Sequence, residues 1–167
     1  FLKKIYNFWV KHLVYKNATN ILSNSESALN FFFQNRWKLS NRFKVIYNGI
    51  NASSFIGISS DLRDELSIPA DAYVIGHTGR YHIAKNHSCI LNVAKRLIRK
   101  YPDIYFILCG NGVKKNLEVE VKTLDENSRL FLFDNRSDIP KFLNTMDCYF
   151  FPSLREGQPN SLIEAMI

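Results

Sequence analysis

The chain has 167 residues, of which 46% are apolar and 14% aromatic; this is enough for a packed core and argues against a disordered chain. A formal charge of +7 and a pI near 9.4 point to anionic partners, admitting nucleic acid, anionic lipid and phosphorylated small molecules. No apolar run reaches the ~20 residues that span a bilayer, and Cys89, Cys109 and Cys148 lack metal-ligand spacing, so they read as buried free thiols in a reducing compartment.

The chain starts at Phe1 without Met or a signal-peptide pattern, and reads as part of something longer. At about 100° per residue, Leu2, Ile5, Tyr6, Trp9 and Leu13 share one face of a helix over the first eighteen residues, with Lys3, Lys4, Asn7 and Lys11 opposite. Such a helix suits packing on a sheet, or docking at an anionic membrane surface. Residues 18–22 (ATNIL) read as a strand. Ser23 and Glu26 then have capping-box spacing for a helix through about Gln34. Residues 43–49 (FKVIYNG) read as a strand closed by the turn pair Asn48-Gly49. A domain boundary is expected near residue 56, inside INASSFIGISS.

From residue 61 the pattern is regular. Residues 61–66 read as a short helix, 73–79 (YVIGHTG) as a buried strand, and 87–101 as a helix with the stripe Ile90, Val93, Leu97. A strand at 104–110, a helix at 113–125, a strand at 130–134, a short helix from Asp138, a strand at 147–153 and a helix opened by SLIEAM follow. Apolar strands alternating with helices mean an α/β fold with a parallel sheet covered on both faces. Right-handed crossovers make it a doubly wound sheet in the order 3-2-1-4.

In such a sheet a ligand binds where the winding reverses, here between GRYHIAKNH (79–87) after the first strand and LREGQPNS (154–161) after the fourth. Arg80 offers a planar fork for phosphate oxygens and Lys85 a compact mobile charge. A helix start at Asn160 or Ser161 offers free N–H groups to an anion. Glu156 and Glu164 suit sugar or ribose hydroxyls. Each also has a plainer use. Arg80 and Lys85 fit ordinary surface charges, Ser161 and Glu164 fit a capping box, and Gly110-Asn-Gly112 more simply turns the chain than cradles phosphate. His77 reads as a core histidine, while His82 and His87 have no assigned part. No nucleophile–base arrangement is present, and no interleaved basic–aromatic strand pattern or recognition-helix signature supports nucleic-acid binding.

Taken in order, GRYHIAKNH, YFILCGNG, NRSDIP and FPSLREGQPNSLIEAM, with NILSNSESA and KVIYNGIN before them, resemble the retaining glycosyltransferases of the group 1 (family four) type with the GT-B fold, over most of residues 17–167. The resemblance implies that residues 1–56 are the C-terminal portion of the N-terminal, acceptor-side domain with the interdomain segment. Residues 57–167 would be a truncated nucleotide-sugar donor-binding domain, a Rossmann-like GT-B half incomplete at both ends. Gly79, Arg80 and Lys85 would hold the donor's diphosphate, Glu156 the transferred sugar with Gly157, Gln158, Pro159 and Asn160 beside it, and Glu164 the ribose. Asn135 and Arg136 would lie near the base, where Asp134 replaces the family's usual Gly. Glu156, Arg80 and Lys85 would be catalytic.

The implied reaction passes a sugar from a nucleoside diphosphate sugar to a saccharide or lipid-linked acceptor with retained configuration, in polysaccharide or glycolipid biosynthesis. No cofactor is implied, and the chain lacks a D-x-D motif, so metal-independent transfer is expected. A cytoplasmic location at the inner face of the cell membrane, with peripheral membrane contact, is implied too. The competing expectation is a non-catalytic module that binds nucleotide or phosphosugar. On either expectation the isolated chain is inactive.

Overall fold

The structure, a computed structural model, describes residues 2–124 and 128–167, with side chains from residue 5 onward. The chain divides into two compact units, Phe1–Gly49 with Glu156–Pro159, and Ile50–Arg155 with Asn160–Ile167.

The first unit holds α1 (Leu2–Asn17), β1 (Ile21–Ser23), α2 (Glu26–Phe33), a 3-10 segment (Gln34–Leu39) and β2 (Phe43–Val45). β1 and β2 pair in parallel, with Ile21 opposite Phe43. Their core is small: Ile21, Leu29 and Phe43, with Tyr15, Phe33 and Trp37 packed around them. Tyr15 reaches it from α1, its ring 6.1 Å from those of Phe33 and Phe43. The face expected to pack does not: Tyr6, Trp9 and Leu13 are 68%, 57% and 53% exposed. Two three-residue strands offer too little surface for the whole stripe, and the Tyr15 side of the helix takes it. The side chains of Leu2, Lys3 and Lys4 lie outside the described residues. The cap of α2 also differs from expectation. Ser25, not Ser23, accepts from the Ala28 amide at 3.1 Å, while the Ser23 hydroxyl donates to the Ser25 carbonyl.

The second unit holds β3 (Tyr73–Thr78), α3 (His87–Lys100), β4 (Ile104–Cys109), α4 (Val113–Leu124), β5 (Leu130–Phe133), α5 (Ile139–Thr145), β6 (Cys148–Tyr149) and α6 (Asn160–Glu164). All four strands are parallel in the order β5-β4-β3-β6, the expected 3-2-1-4. Strand alternation splits the core. Ile75, Phe106 and Leu108 face α3 and α4, meeting Ile90, Leu91, Ala94 and Leu117. Val74, Ile107 and Cys109 face the opposite way, meeting Leu62, Ile68 and Phe142.

Four expectations need correction. Residues 61–66 form a turn, because Ser67 (φ 54) reverses the chain and the Ile68 amide closes onto the Arg63 carbonyl at 2.8 Å. The buried face of α3 is His87, Ile90, Leu91, Ala94 and Ile98, with Val93 and Leu97 at its margin. β6 is two residues long; past Phe150, whose amide reaches the Gly76 carbonyl, the chain meets a loop instead of a strand. Of the three free cysteines only Cys109 is buried, its thiol pushed up to about 11 by burial. The predicted helix end at Asp125 lies outside the described residues. Among the described residues no helix is long and apolar enough to cross a membrane.

Candidate functional site

The chain leaving β3 does not break free of the sheet. The Gly79 amide bonds the Cys109 carbonyl and the Tyr81 amide the Asn111 carbonyl, each at 2.8 Å, so the loop after β3 runs beside the loop after β4. Gly110 permits the approach: a Cβ there would collide with the Gly79 carbonyl. The glycine expected only to turn the chain therefore admits a second backbone. Gly79 is constrained in turn, since its Cβ would stand 3.0 Å from His77 Nε2 and 3.3 Å from Lys85 Cε. The loop closes in a 3-10 turn at Ile83–Lys85, capped by His82 Nδ1 accepting from the Ala84 amide at 3.2 Å. Asn86 then takes a left-handed conformation (φ 58, ψ 47) before α3.

Three bonds at alternate residues stitch the end of β3 and this loop to the extended segment after β6. His77 Nδ1 donates to the Phe150 carbonyl at 2.9 Å, Asn86 Nδ2 donates to the Pro152 carbonyl at 3.2 Å, and the Leu154 amide donates to the Ala84 carbonyl at 2.8 Å. The loop after β3 and residues 150–154 are thus held together inside the second unit. Lys85 is half-buried, its Nζ 5.3 Å from the centre of the Phe151 ring. Arg80 is exposed and makes no ion pair among the described residues.

Tyr149, which sequence reasoning missed, joins this loop to α6. Its hydroxyl donates to the Thr78 carbonyl at 3.0 Å and lies 3.1 Å from the Thr78 hydroxyl. The Ser161 side chain meets the same phenol. Burial pushes the phenol up, and the Glu164 carboxylate adds to the shift. Glu164 is half-buried, and burial raises its carboxyl above the usual range. Ser161 lies inside α6 and faces Tyr149, which replaces the simple capping box. The available signal was a lone phenol in an otherwise apolar strand.

The residues nominated near a base lie between β5 and α5. Arg136 donates to both oxygens of Asp138 at 2.9 and 2.7 Å and to Glu65 at 3.0 Å, over the rings of Phe133 and Phe142. These bonds hold its guanidinium charged more firmly than usual. Asn135 is exposed. Asp134 accepts from the Lys114 amide at 3.1 Å, satisfying the first turn of α4 from outside the helix.

Glu156, Gly157, Gln158 and Pro159 belong to the first unit. Gly157 lies against the cap of α2, where a Cβ would stand 2.9 Å from Asn24 Oδ1 and 3.1 Å from Ser25 Oγ. Gln158 and Asn48 clasp each other. The Asn48 amide donates to Gln158 Oε1, Gln158 Nε2 donates to the Asn48 carbonyl, and Asn48 Nδ2 donates to the Gln158 carbonyl. Asn160 opens α6 in the second unit and is exposed.

Residues 59–167 match the family described as glycosyl transferases group 1. EpsF of Bacillus subtilis (strain 168), named a glycosyltransferase, is 29% identical over 159 residues, covering 93% of this chain and 41% of EpsF. The UDP-Gal:alpha-D-GlcNAc-diphosphoundecaprenol alpha-1,3-galactosyltransferase of Escherichia coli is 31% identical over 131 residues, 74% of this chain and 34% of that enzyme. Anabaena Alr3699/HepE, solved in complex with UDP-glucose, superposes with a TM-score of 0.79 at 22% identity, over 96% of this chain and 45% of that one. The structural likeness shows the fold. The chain spans less than half the length of these relatives.

Proposed function

The chain belongs to the group 1 glycosyl transferases, and from that premise we propose that the whole protein moves a sugar from a nucleoside diphosphate sugar to the hydroxyl of a saccharide or lipid-linked acceptor. Configuration is retained, and the product enters polysaccharide or glycolipid assembly. Residues 57–167 serve the donor, and residues 1–56 close the acceptor-side domain. The observation that carries this reading is the stitched loop 79–86, which fixes half-buried Lys85 over Phe151 and leaves Arg80 exposed beside it. Two relatives add support: the galactosyltransferase is named for UDP-Gal and a diphosphoundecaprenol-linked sugar, and HepE was solved with UDP-glucose.

The barrier to such a transfer is charge separation. The sugar becomes cationic as the diphosphate departs, so cations fixed at the leaving phosphate lower the transition state more than the ground state. Arg80 and Lys85, with Gly79 between them and the sheet, supply that charge. A side chain already held by its neighbours needs little reorganisation when the phosphate leaves. Glu164 accepts from the ribose, and Glu156 binds the transferred sugar with Gly157, Gln158, Pro159 and Asn160 alongside. Asn135 and Arg136 flank the base. The departing phosphate takes the acceptor proton on the same face, so no protein nucleophile is required. Transfer runs without a metal ion, and EDTA leaves the rate unchanged. The protein works in the cytoplasm at the inner face of the membrane, which it touches peripherally.

Calorimetric titration of the full-length protein with UDP and GDP tests the reading. Saturable binding of one of them is expected. Replacing Arg80 or Lys85 by Ala should weaken it by about tenfold or more, the size of one lost charge-assisted hydrogen bond. Equal affinity in both variants overturns the donor site. Binding without transfer to any acceptor favours a binding module instead.

A further inference from the structure

Two buried histidines beside Lys85 have no part in the reaction as described. His77 is fully buried and His87 is 3% exposed. They come from the end of β3 and the first residue of α3, the two elements that bracket the loop carrying Arg80 and Lys85. Their rings meet edge to face, with centres 5.4 Å apart. We propose that His77 and His87 are positioning residues that hold the Lys85 ammonium where the donor's diphosphate binds; the inference rests on the donor site proposed above.

The geometry is specific on each side. The Phe150 carbonyl can only accept, so His77 donates through Nδ1 and turns Nε2 toward Gly79, beside the Lys85 stem. His77 is further fixed against the rings of Tyr149 and Phe151, which pack on each other, and Phe151 is the ring beneath the Lys85 ammonium. His87 packs on His77 and lies tilted at 41° to the Tyr81 ring, 5.3 Å between centres, and neither of its ring nitrogens has a hydrogen-bond partner among the described residues. Burial and the Lys85 cation both hold its imidazole below the ordinary 6.5. A neutral imidazole there fills space without adding a second positive charge against Lys85 or the positive N-terminal end of α3. Asn86, between Lys85 and His87, has a left-handed backbone and is anchored by its side-chain bond to the Pro152 carbonyl.

The test is a double-mutant cycle on the full-length protein, titrated with whichever of UDP and GDP binds more tightly and with the matching nucleoside. His87→Leu should weaken the diphosphate about fivefold to tenfold, the cost of a misaligned charged hydrogen bond, and leave the nucleoside within about twofold. In a Lys85→Met background the same change should have no further effect on diphosphate affinity. His87→Gln, closer in volume and polarity, serves if His87→Leu does not fold. Equal loss for nucleoside and diphosphate, or a loss that persists without Lys85, assigns His87 to packing alone and overturns the inference, as does full affinity in both variants. Failure of the donor site itself is seen separately, in an unaltered protein that binds neither diphosphate.

Discussion

A single methyl group on Gly110 would occupy space held by the Gly79 carbonyl, and backbone cannot rotate away as a side chain can. Gly110→Ala should therefore cost about 1–3 kcal/mol, as overpacking does elsewhere, read as a shift in the urea midpoint at constant slope. A wild-type midpoint would mean that the two loops do not run together. His87 supplies a second residue-scale prediction with a definite sign. Its imidazole titrates lower in the folded chain than in the unfolded one, because of burial and Lys85. The unfolded chain therefore takes up that proton first. This contribution is intact above about pH 6.5 and is lost progressively below it. The groups facing the ring are Lys85, Tyr81 and His77. Melting curves at pH 7.5 and 5.5, both of them chosen only to lie about one unit from the free imidazole value, should show a smaller drop for His87→Phe than for the wild type. Equal drops would place the acid sensitivity elsewhere. Arg80 and Lys85 could be nominated from their charge and their place after the first strand, where the winding reverses. Tyr149 and Asp134 could not, because their partners Thr78 and Lys114 lie 71 and 20 residues away and only the folded sheet brings them together.

Elements were legible where burial dictates composition. The runs at 73–78, 104–109 and 130–133 are apolar because both faces of a parallel sheet are covered, and handed crossovers leave little choice of strand order. Legibility failed where a short element depends on one partner. Residues 61–66 carry helix-forming side chains, yet the Leu62 amide goes to the Thr145 hydroxyl at 2.9 Å and Arg63 to Asp147 at 3.0 Å, so tertiary bonds set a turn. The cap of α2 moved by two residues because Ser23 remains in β1. Helix α4 makes the same point with a testable consequence. Its first turn is satisfied by Asp134, a residue beyond its C-terminal end. Asp134→Ala should destabilise the protein by about 0.5–2 kcal/mol, the usual range for a lost N-cap, whereas Asp134→Asn retains most of the effect. Denaturant midpoints of the three proteins decide it. If the alanine variant matches the wild type, solvent caps that helix well enough and the Asp134 contact carries no stability.

Charge is distributed at the scale of the whole molecule. Residues 1–49 hold eight of the 22 Lys and Arg but one of the 15 Asp and Glu, so they account for the entire excess of +7, while residues 50–167 are balanced. The same segment exposes Tyr6, Phe8, Trp9 and Leu13 on α1, and Phe31 and Phe32 on α2. Lys11 lies over both of those phenylalanine rings, at 5.1 and 5.0 Å. Aromatic side chains interleaved with lysines are the composition that settles at a lipid headgroup layer, where rings enter the interface and ammonium groups meet anionic lipid. A peripheral membrane contact of the protein would therefore fall on α1 and α2. Full-length protein should sediment with vesicles of mixed phosphatidylcholine and phosphatidylglycerol, not with phosphatidylcholine alone, and binding should weaken steeply as salt rises. Trp37 lies in the same unit, so a Trp37→Phe background leaves Trp9 as the chain's own fluorescent reporter within residues 1–167. Its emission should shift to the blue on adding anionic vesicles. Since the chain spans 41% of EpsF, further residues in a longer protein could instead cover this face. In that case Trp9 would already emit in the blue without vesicles and would not respond to them, and the membrane assignment would fall.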